Sequence, residues 1–187
     1  GGVSRAPWDM LNLASHVGDE PSAVRANGDR LAAALGVSGV CVPHQVHGAS
    51  VLVVDRAPHG LVIDARGGGA DALVAAAPGI AVGVLVADCM PVLFADPIAG
   101  VVAAAHAGRR GLVAGVLQAT LSAMADLGAE ERQIVAVIGP AICGRCYEVP
   151  AEMRGEVDAE IPGTGCVTAR GTAGLGLPAG ELAILQA

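Results

Sequence analysis

A chain of 187 residues, 53% of them apolar, is long enough to bury a core of its own and is expected to form a single domain. Its formal charge of −7, with no Lys/Arg cluster, removes the basic footprint that phosphate neutralisation needs. No nucleic-acid partner is therefore expected, and a small-molecule partner is. Five cysteines, an odd number spread over the chain, favour reduced thiols and a cytoplasmic setting. Apolar runs such as 79–87 stop well short of the roughly 18 residues of a membrane span. The opening GGVSRAPWDM has neither the basic nor the apolar region of a signal peptide. Trp8, Phe94 and Tyr147 are the only aromatic residues, so the core must be built from Val, Leu, Ile and Ala, a composition that suits buried strands covered by helices.

Residues 21–35 read as a helix, with Pro21 in the first turn, Asp19 and Glu20 favouring the dipole, Gly28 weakening the middle and Gly36 ending it. Two β-branched segments follow, 40–46 and 51–54, separated by a turn at His47-Gly48-Ala49 that puts His47 at a strand end. The stretch ARGGGAD, 65–71, has too much glycine for regular structure and reads as a loop or as a close approach of backbone to ligand. Segments 80–88, 91–96 and 100–108 read as neighbouring buried strands. The last two are close enough to form an antiparallel hairpin, and the sheet is expected to be mixed. Leu112, Val113, Val116, Leu117, Leu121 and Met124 recur at helical spacing, giving an amphipathic helix that follows Arg109-Arg110-Gly111 and ends near Gly128. A further strand, 134–138, runs into GPAICGRCYEV. Beyond about residue 150 an irregular chain is expected, and no internal repeat is visible.

His47 and Cys89 each follow an apolar segment and His106 lies near the end of another, where side chains can converge on a sheet edge. Two imidazoles and a thiolate make a borderline-soft donor set that suits Zn²⁺ and leaves a fourth position open, as in catalytic rather than structural sites. The spacing matches no compact zinc finger. Taken by residue type alone, a buried Cys and two hydrogen-bonded histidines are equally ordinary.

The motifs VPHQVHG (42–48), VADCMPVLFAD (86–96), HAGRRG (106–111) and GPAICGRCYEV (139–149) occur in order, with LNLASHVGDEPSAV (11–24) before them and TARGTAGLGLPAG (168–180) after. In these the chain resembles the YfiH family, the multicopper polyphenol oxidase or laccase-domain proteins, over nearly its whole length. The resemblance implies an α/β fold: one YfiH-like domain over 1–187, a mixed-sheet sandwich with helices packed on it, related to toxin deamidases. It also implies that an N-terminal strand and a C-terminal segment seen in relatives are lacking. It implies a zinc held by His47, Cys89 and His106, with copper as the metal of the older name. Family members are described as purine nucleoside phosphorylases that also deaminate adenosine and phosphorolyse methylthioadenosine. The partners implied are thus a purine nucleoside (adenosine, inosine, guanosine or methylthioadenosine) and phosphate.

Phosphorolysis needs an anion site, for which Arg110 at a helix start is the candidate, with His44 and Gln45 as further substrate-binding residues. Arg109 stands where the family usually has Trp, which removes a surface for base stacking. Deamination needs a water whose pKa zinc lowers toward about 7 and an acid/base partner. Asp88 and Asp71 are the nearest carboxylates by motif position. Asp88 adjoins Cys89, and neighbours on a strand face opposite ways, which favours an indirect role. Cys143 and Cys146 form a CxxC with no second pair to complete a zinc ribbon, and they read as structural. The competing enzyme reading is a thiol hydrolase with Cys89 as nucleophile and His106 as its base, akin to relatives assigned to editing peptidoglycan precursors. A pure adaptor would not need three convergent polar motifs. Copper oxidation of phenols ranks last, because one His₂Cys set is not a multicopper assembly. The sequence sets no oligomeric state.

Overall fold

The computed structural model describes residues 1–64 and 68–185. Its largest element is a five-stranded sheet built from β2 (Val51–Val53), β4 (Ala72–Ala75), β6 (Met90–Asp96), β7 (Val101–Ala107) and β8 (Val135–Ile138), in the order β2-β4-β7-β6-β8. The β2–β4 pair is parallel and the others antiparallel, so the sheet is mixed. The β6–β7 hairpin closes through Asp96, whose carboxylate accepts the N–H groups of Ile98 and Ala99 inside the turn. A second sheet, all parallel, has the order β3-β1-β5, from β1 (Gly39–Pro43), β3 (Gly60–Asp64) and β5 (Ala81–Val82). A two-stranded antiparallel ribbon, β9 (Gly165–Val167) and β10 (Ala173–Leu175), completes the strands among the described residues. The α/β architecture with mixed sheets matches the expectation.

Strand β4 shows how the core is layered. Its side chains alternate between faces, as a period of two requires, and both faces are buried. Ala72 and Val74 join the main cluster beneath α3 (Val116–Asp126), with Val92, Leu117 and Met124. Leu73 and Ala75 face the opposite way and pack with Cys41, Val54 and Ile80, between the two sheets. Helix α1 (Pro21–Leu35) lies against β1 and β3. Its ends fall where the sequence puts them, with Pro21 in the first turn and Gly36 in the left-handed conformation. Buried Asn27 on this helix accepts the Val3 N–H and donates to Ser4 Oγ and to the Asn12 carbonyl, each at 2.8 Å. The irregular N-terminal segment is thereby tied to the helix.

Four expectations are corrected. The first strand stops at Pro43 rather than running to residue 46, because Pro43 has no N–H to continue a ladder; β1 and β2 lie in different sheets, and His47 sits on the loop that joins them. The 80–88 segment contributes only β5, and that to the smaller sheet. After Gly83, whose N–H reaches the Cys41 carbonyl at 2.9 Å, the chain leaves the ladder. The long amphipathic helix is two, α2 (Arg109–Val113) and α3, broken at Gly115 with φ +86°. The region past 150 is not irregular: α4 (Ala151–Glu160) and α5 (Leu177–Leu185) flank the ribbon, and Val157 of α4, Leu175 of β10 and Leu177 of α5 join the main core. Neither shows a helical period, α4 because its apolar positions are few and α5 because it is apolar nearly all round.

Of the glycine-rich stretch, residues 65–67 lie outside the described residues. Gly69 has φ +117°, and a Cβ there would fall 2.6 Å from the His44 carbonyl oxygen, so the backbone approached is that of the 44–48 loop. Gly28 gives the fold its first test. In a helix interior glycine costs about 1 kcal/mol relative to alanine, yet a Cβ at Gly28 would sit 2.5 Å from Leu61 Cβ. Gly28→Ala is predicted to lower stability in urea unfolding by about 1–3 kcal/mol, the overpacking cost outweighing the propensity gain. A stabilised variant would contradict this packing.

Candidate metal centre

Three elements bring the site together. His106 is the sixth residue of β7 and is buried; Cys89 lies in the bend just before β6, next to Met90, which pairs with Ala107, and is half-buried; His47 is exposed on the loop after β1. Their ligand atoms all lie within 4.8 Å of one another, so the three could hold one metal ion. The two rings meet edge to face with centroids 4.6 Å apart, and Cys89 Sγ is 3.7 Å from His47 Nε2. Gly108 makes the space: a Cβ there would fall 2.8 Å from Cys89 Sγ and 3.2 Å from His47 Cδ2.

Asp71 organises these ligands. It is fully buried, and its Oδ1 accepts His106 Nδ1 at 2.8 Å and the His47 N–H at 2.9 Å. Its Oδ2 accepts the Gly48 N–H at 2.6 Å and the Val46 N–H at 3.3 Å. The four acceptor positions of the carboxylate are thus filled. The bond to His106 fixes the tautomer with the proton on Nδ1 and leaves Nε2 free for a metal. The three backbone donors form a concave nest for the anion and hold His47 at φ +60°, the only positive φ outside glycine among the described residues. Burial works to raise the Asp71 carboxyl, but its donors outweigh burial and hold it below the usual carboxylate range. Burial lowers His106, against the pull of Asp71, and so keeps the imidazole in the neutral form a metal requires. Burial, then the charges of Asp88 and Asp71, push the Cys89 thiol up.

A cleft of about 650 Å³ opens onto the three ligands. His44, Gln45 and Asp88 line it, and so do Ser15 and His16 from the N-terminal segment, which the sequence reading does not single out. The only signal for His16 was its place in the 11–24 motif. Gln45 is committed elsewhere: its amide donates to the Leu85 carbonyl and accepts the Leu85 N–H, both at 2.8 Å, clamping the loop after β1 to the segment before Cys89. Residues 83–89 are not a strand, so the opposite-face argument for Asp88 does not apply, and Asp88 and Cys89 line the same cleft. Arg110 is exposed and is not among the residues lining the cleft; its helix is only five residues long, which leaves little dipole to attract an anion.

Over residues 1–187 the chain matches the family model described as multi-copper polyphenol oxidoreductase laccase. It is 54% identical to a purine nucleoside phosphorylase of Streptomyces coelicolor, covering 100% of this chain and 76% of that protein. It is 50% identical to a purine nucleoside phosphorylase of Mycobacterium tuberculosis, covering 96% of this chain and 71% of that protein. Among solved structures, a Neisseria meningitidis protein of the DUF152 family superposes with a TM-score of 0.81 at 34% identity, covering 100% of this chain and 74% of the other. The Bacillus licheniformis protein YfiH gives a TM-score of 0.79 at 26% identity, covering 100% of this chain and 73% of that one.

If Asp71 orients the ligands, Asp71→Asn is predicted to weaken metal binding by about 10–100-fold, as outer-sphere carboxylates do elsewhere. Competition against a chromophoric chelator measures this, with circular dichroism checking the fold. Asp88→Asn is the matched control and should leave the affinity within about threefold. Equal losses in the two variants would remove the special role of Asp71.

Proposed function

This chain belongs to the multi-copper polyphenol oxidoreductase laccase family, the YfiH family, and from that premise we propose that it is a zinc-dependent purine nucleoside phosphorylase. The observation that carries the proposal is the convergence of His47, Cys89 and His106 on the floor of a nucleoside-sized cleft, in a chain half identical to proteins named for that activity. About 650 Å³ falls within the roughly 300–1,000 Å³ of small-molecule sites.

Zinc fits the donors better than the copper of the family name. Two nitrogens and one sulfur suit a tetrahedral ion with one open position. Among the described residues there is one such group, which provides for a single ion and not for a multicopper assembly. When bound, the metal would supply a Lewis acid at the cleft floor. His106 and His47 would hold it through ring nitrogens and Cys89 through its sulfur; Asp71 orients the His106 ring and fixes the His47 backbone, and Gly108 leaves room.

In phosphorolysis a phosphate oxygen forms the new bond to the ribose C1′ while the bond to the purine nitrogen breaks, and the purine leaves with the electron pair. Asp88 is the carboxylate we assign to bind the base and handle its proton, because it lines the cleft. Asp71 cannot take that part, since all its acceptor positions are filled. His44 and His16 offer ring N–H donors to ribose and phosphate oxygens. Adenosine, inosine, guanosine and methylthioadenosine are the substrates we assign, with deamination of adenosine as a second reaction of the same site.

The 3.7 Å contact of Cys89 with an imidazole favours one other reading, a thiol hydrolase acting on cell-wall precursors. The imidazole at that distance is that of His47, however, and not that of His106, the base this reading assigns. Burial and two carboxylates also push the Cys89 thiol up, the reverse of what a thiolate nucleophile needs. A metal cation corrects that mismatch.

Release of hypoxanthine from inosine is predicted to require both phosphate and metal. It should vanish in chelator-stripped protein, return with about one equivalent of zinc, and be absent in Cys89→Ser, which also controls for host phosphorylase. Intact turnover by stripped protein, abolished once Cys89 is alkylated, would instead establish the thiol hydrolase.

A further inference from the structure

We propose that Cys143 and Cys146 are a redox-active dithiol that a peroxide oxidises to a disulfide. Both are exposed and unbridged, at the two ends of a turn in which the Cys146 N–H donates to the Cys143 carbonyl at 2.9 Å. A turn closed in this way holds its terminal Cα atoms within about 7 Å, and a disulfide needs about 4.4–6.8 Å. No large backbone movement is required. Cys166 is the third sulfur nearby, but its thiol donates to the Gly144 carbonyl at 3.3 Å and sits half-buried behind the turn.

The surroundings divide the roles of the pair. Cys143 is held low by the S–H of Cys146 and by the Arg145 N–H, and Cys146 is raised in exchange. Positive charge from Arg145 and Arg170 lies beside the thiols and stabilises a thiolate there. Cys143 is the attacking sulfur and Cys146 the resolving one. The Cys143 thiolate bonds to one oxygen of hydrogen peroxide as the O–O bond breaks and hydroxide leaves, giving a sulfenic acid. The Cys146 sulfur then attacks the Cys143 sulfur, expelling a second hydroxide, and the protons of the two thiols complete two waters. Two thiols lose two electrons and the peroxide gains them.

This chemistry is separate from the cleft reaction, although the turn is tied to the cleft wall: the Ile142 N–H donates at 3.0 Å to the carbonyl of Asp88, the residue before Cys89. Metal-loaded protein treated with hydrogen peroxide, then with N-ethylmaleimide, and mapped by mass spectrometry tests the pairing residue by residue. A peptide linked from Cys143 to Cys146, reversed by dithiothreitol, is expected. Cys41, Cys89 and Cys166 should stay unlinked. In Cys146→Ser, a surface change that should not disturb folding, Cys143 is expected to accumulate a dimedone-reactive sulfenic acid. Both thiols still alkylatable after peroxide, or a disulfide to Cys166, would overturn the proposal.

Discussion

The site rests on one buried carboxylate. Asp71 accepts four hydrogen bonds, one from a β7 histidine and three from the backbone of the loop after β1. Burying a charge without partners costs several kcal/mol; with every acceptor position filled it becomes a rigid joint between the two sheets. The joint sets the orientation of His106 and the position of His47 together, and so fixes two of the three candidate metal ligands from a single residue. The third ligand is fixed independently by the hairpin, where Met90 pairs with Ala107 and thereby seats Cys89 beside the end of β7.

The fold exists around that joint. Strand β4 runs directly on from Asp71, is buried on both faces, and hydrogen-bonds to β2 on one side and β7 on the other. Its apolar packing anchors the carboxylate more firmly than an exposed loop could. The Gln45–Leu85 clamp holds two parts of the cleft lining together, and Asn27 tethers the N-terminal segment from which Ser15 and His16 join that lining. These polar contacts are specific and join segments distant in sequence, which makes the cleft pre-formed.

Much of this was legible in the residues, and the misses share a cause. Helix α1 and the β6–β7 hairpin follow from signals confined to a few neighbouring residues: Pro21 and Gly36 at the helix ends, and apolar runs joined by a short turn. The ligand motifs were likewise visible because their residue types are unusual in apolar contexts. Strand membership was not, since assigning β5 to the second sheet depends on pairing with a segment some forty residues away. Helices α4 and α5 have weak periodicity and are packed by tertiary contacts. Asp71 looked like one carboxylate among several, because its four donors come from segments distant in sequence. Arg110 drew attention by its charge and motif, and nothing local revealed that it would stay outside the cleft lining.

Two imidazoles and one thiolate, with a position left open, are the proposed grip on the metal. X-ray absorption at the zinc edge of loaded protein measures this most directly. It should show two nitrogens of imidazole type at about 2.0–2.1 Å, one sulfur at about 2.3 Å and one light, exchangeable scatterer. In Cys89→Ser the sulfur shell should disappear. A shell of two or more sulfurs, or a sulfur that persists in Cys89→Ser, would place the metal elsewhere and contradict the account.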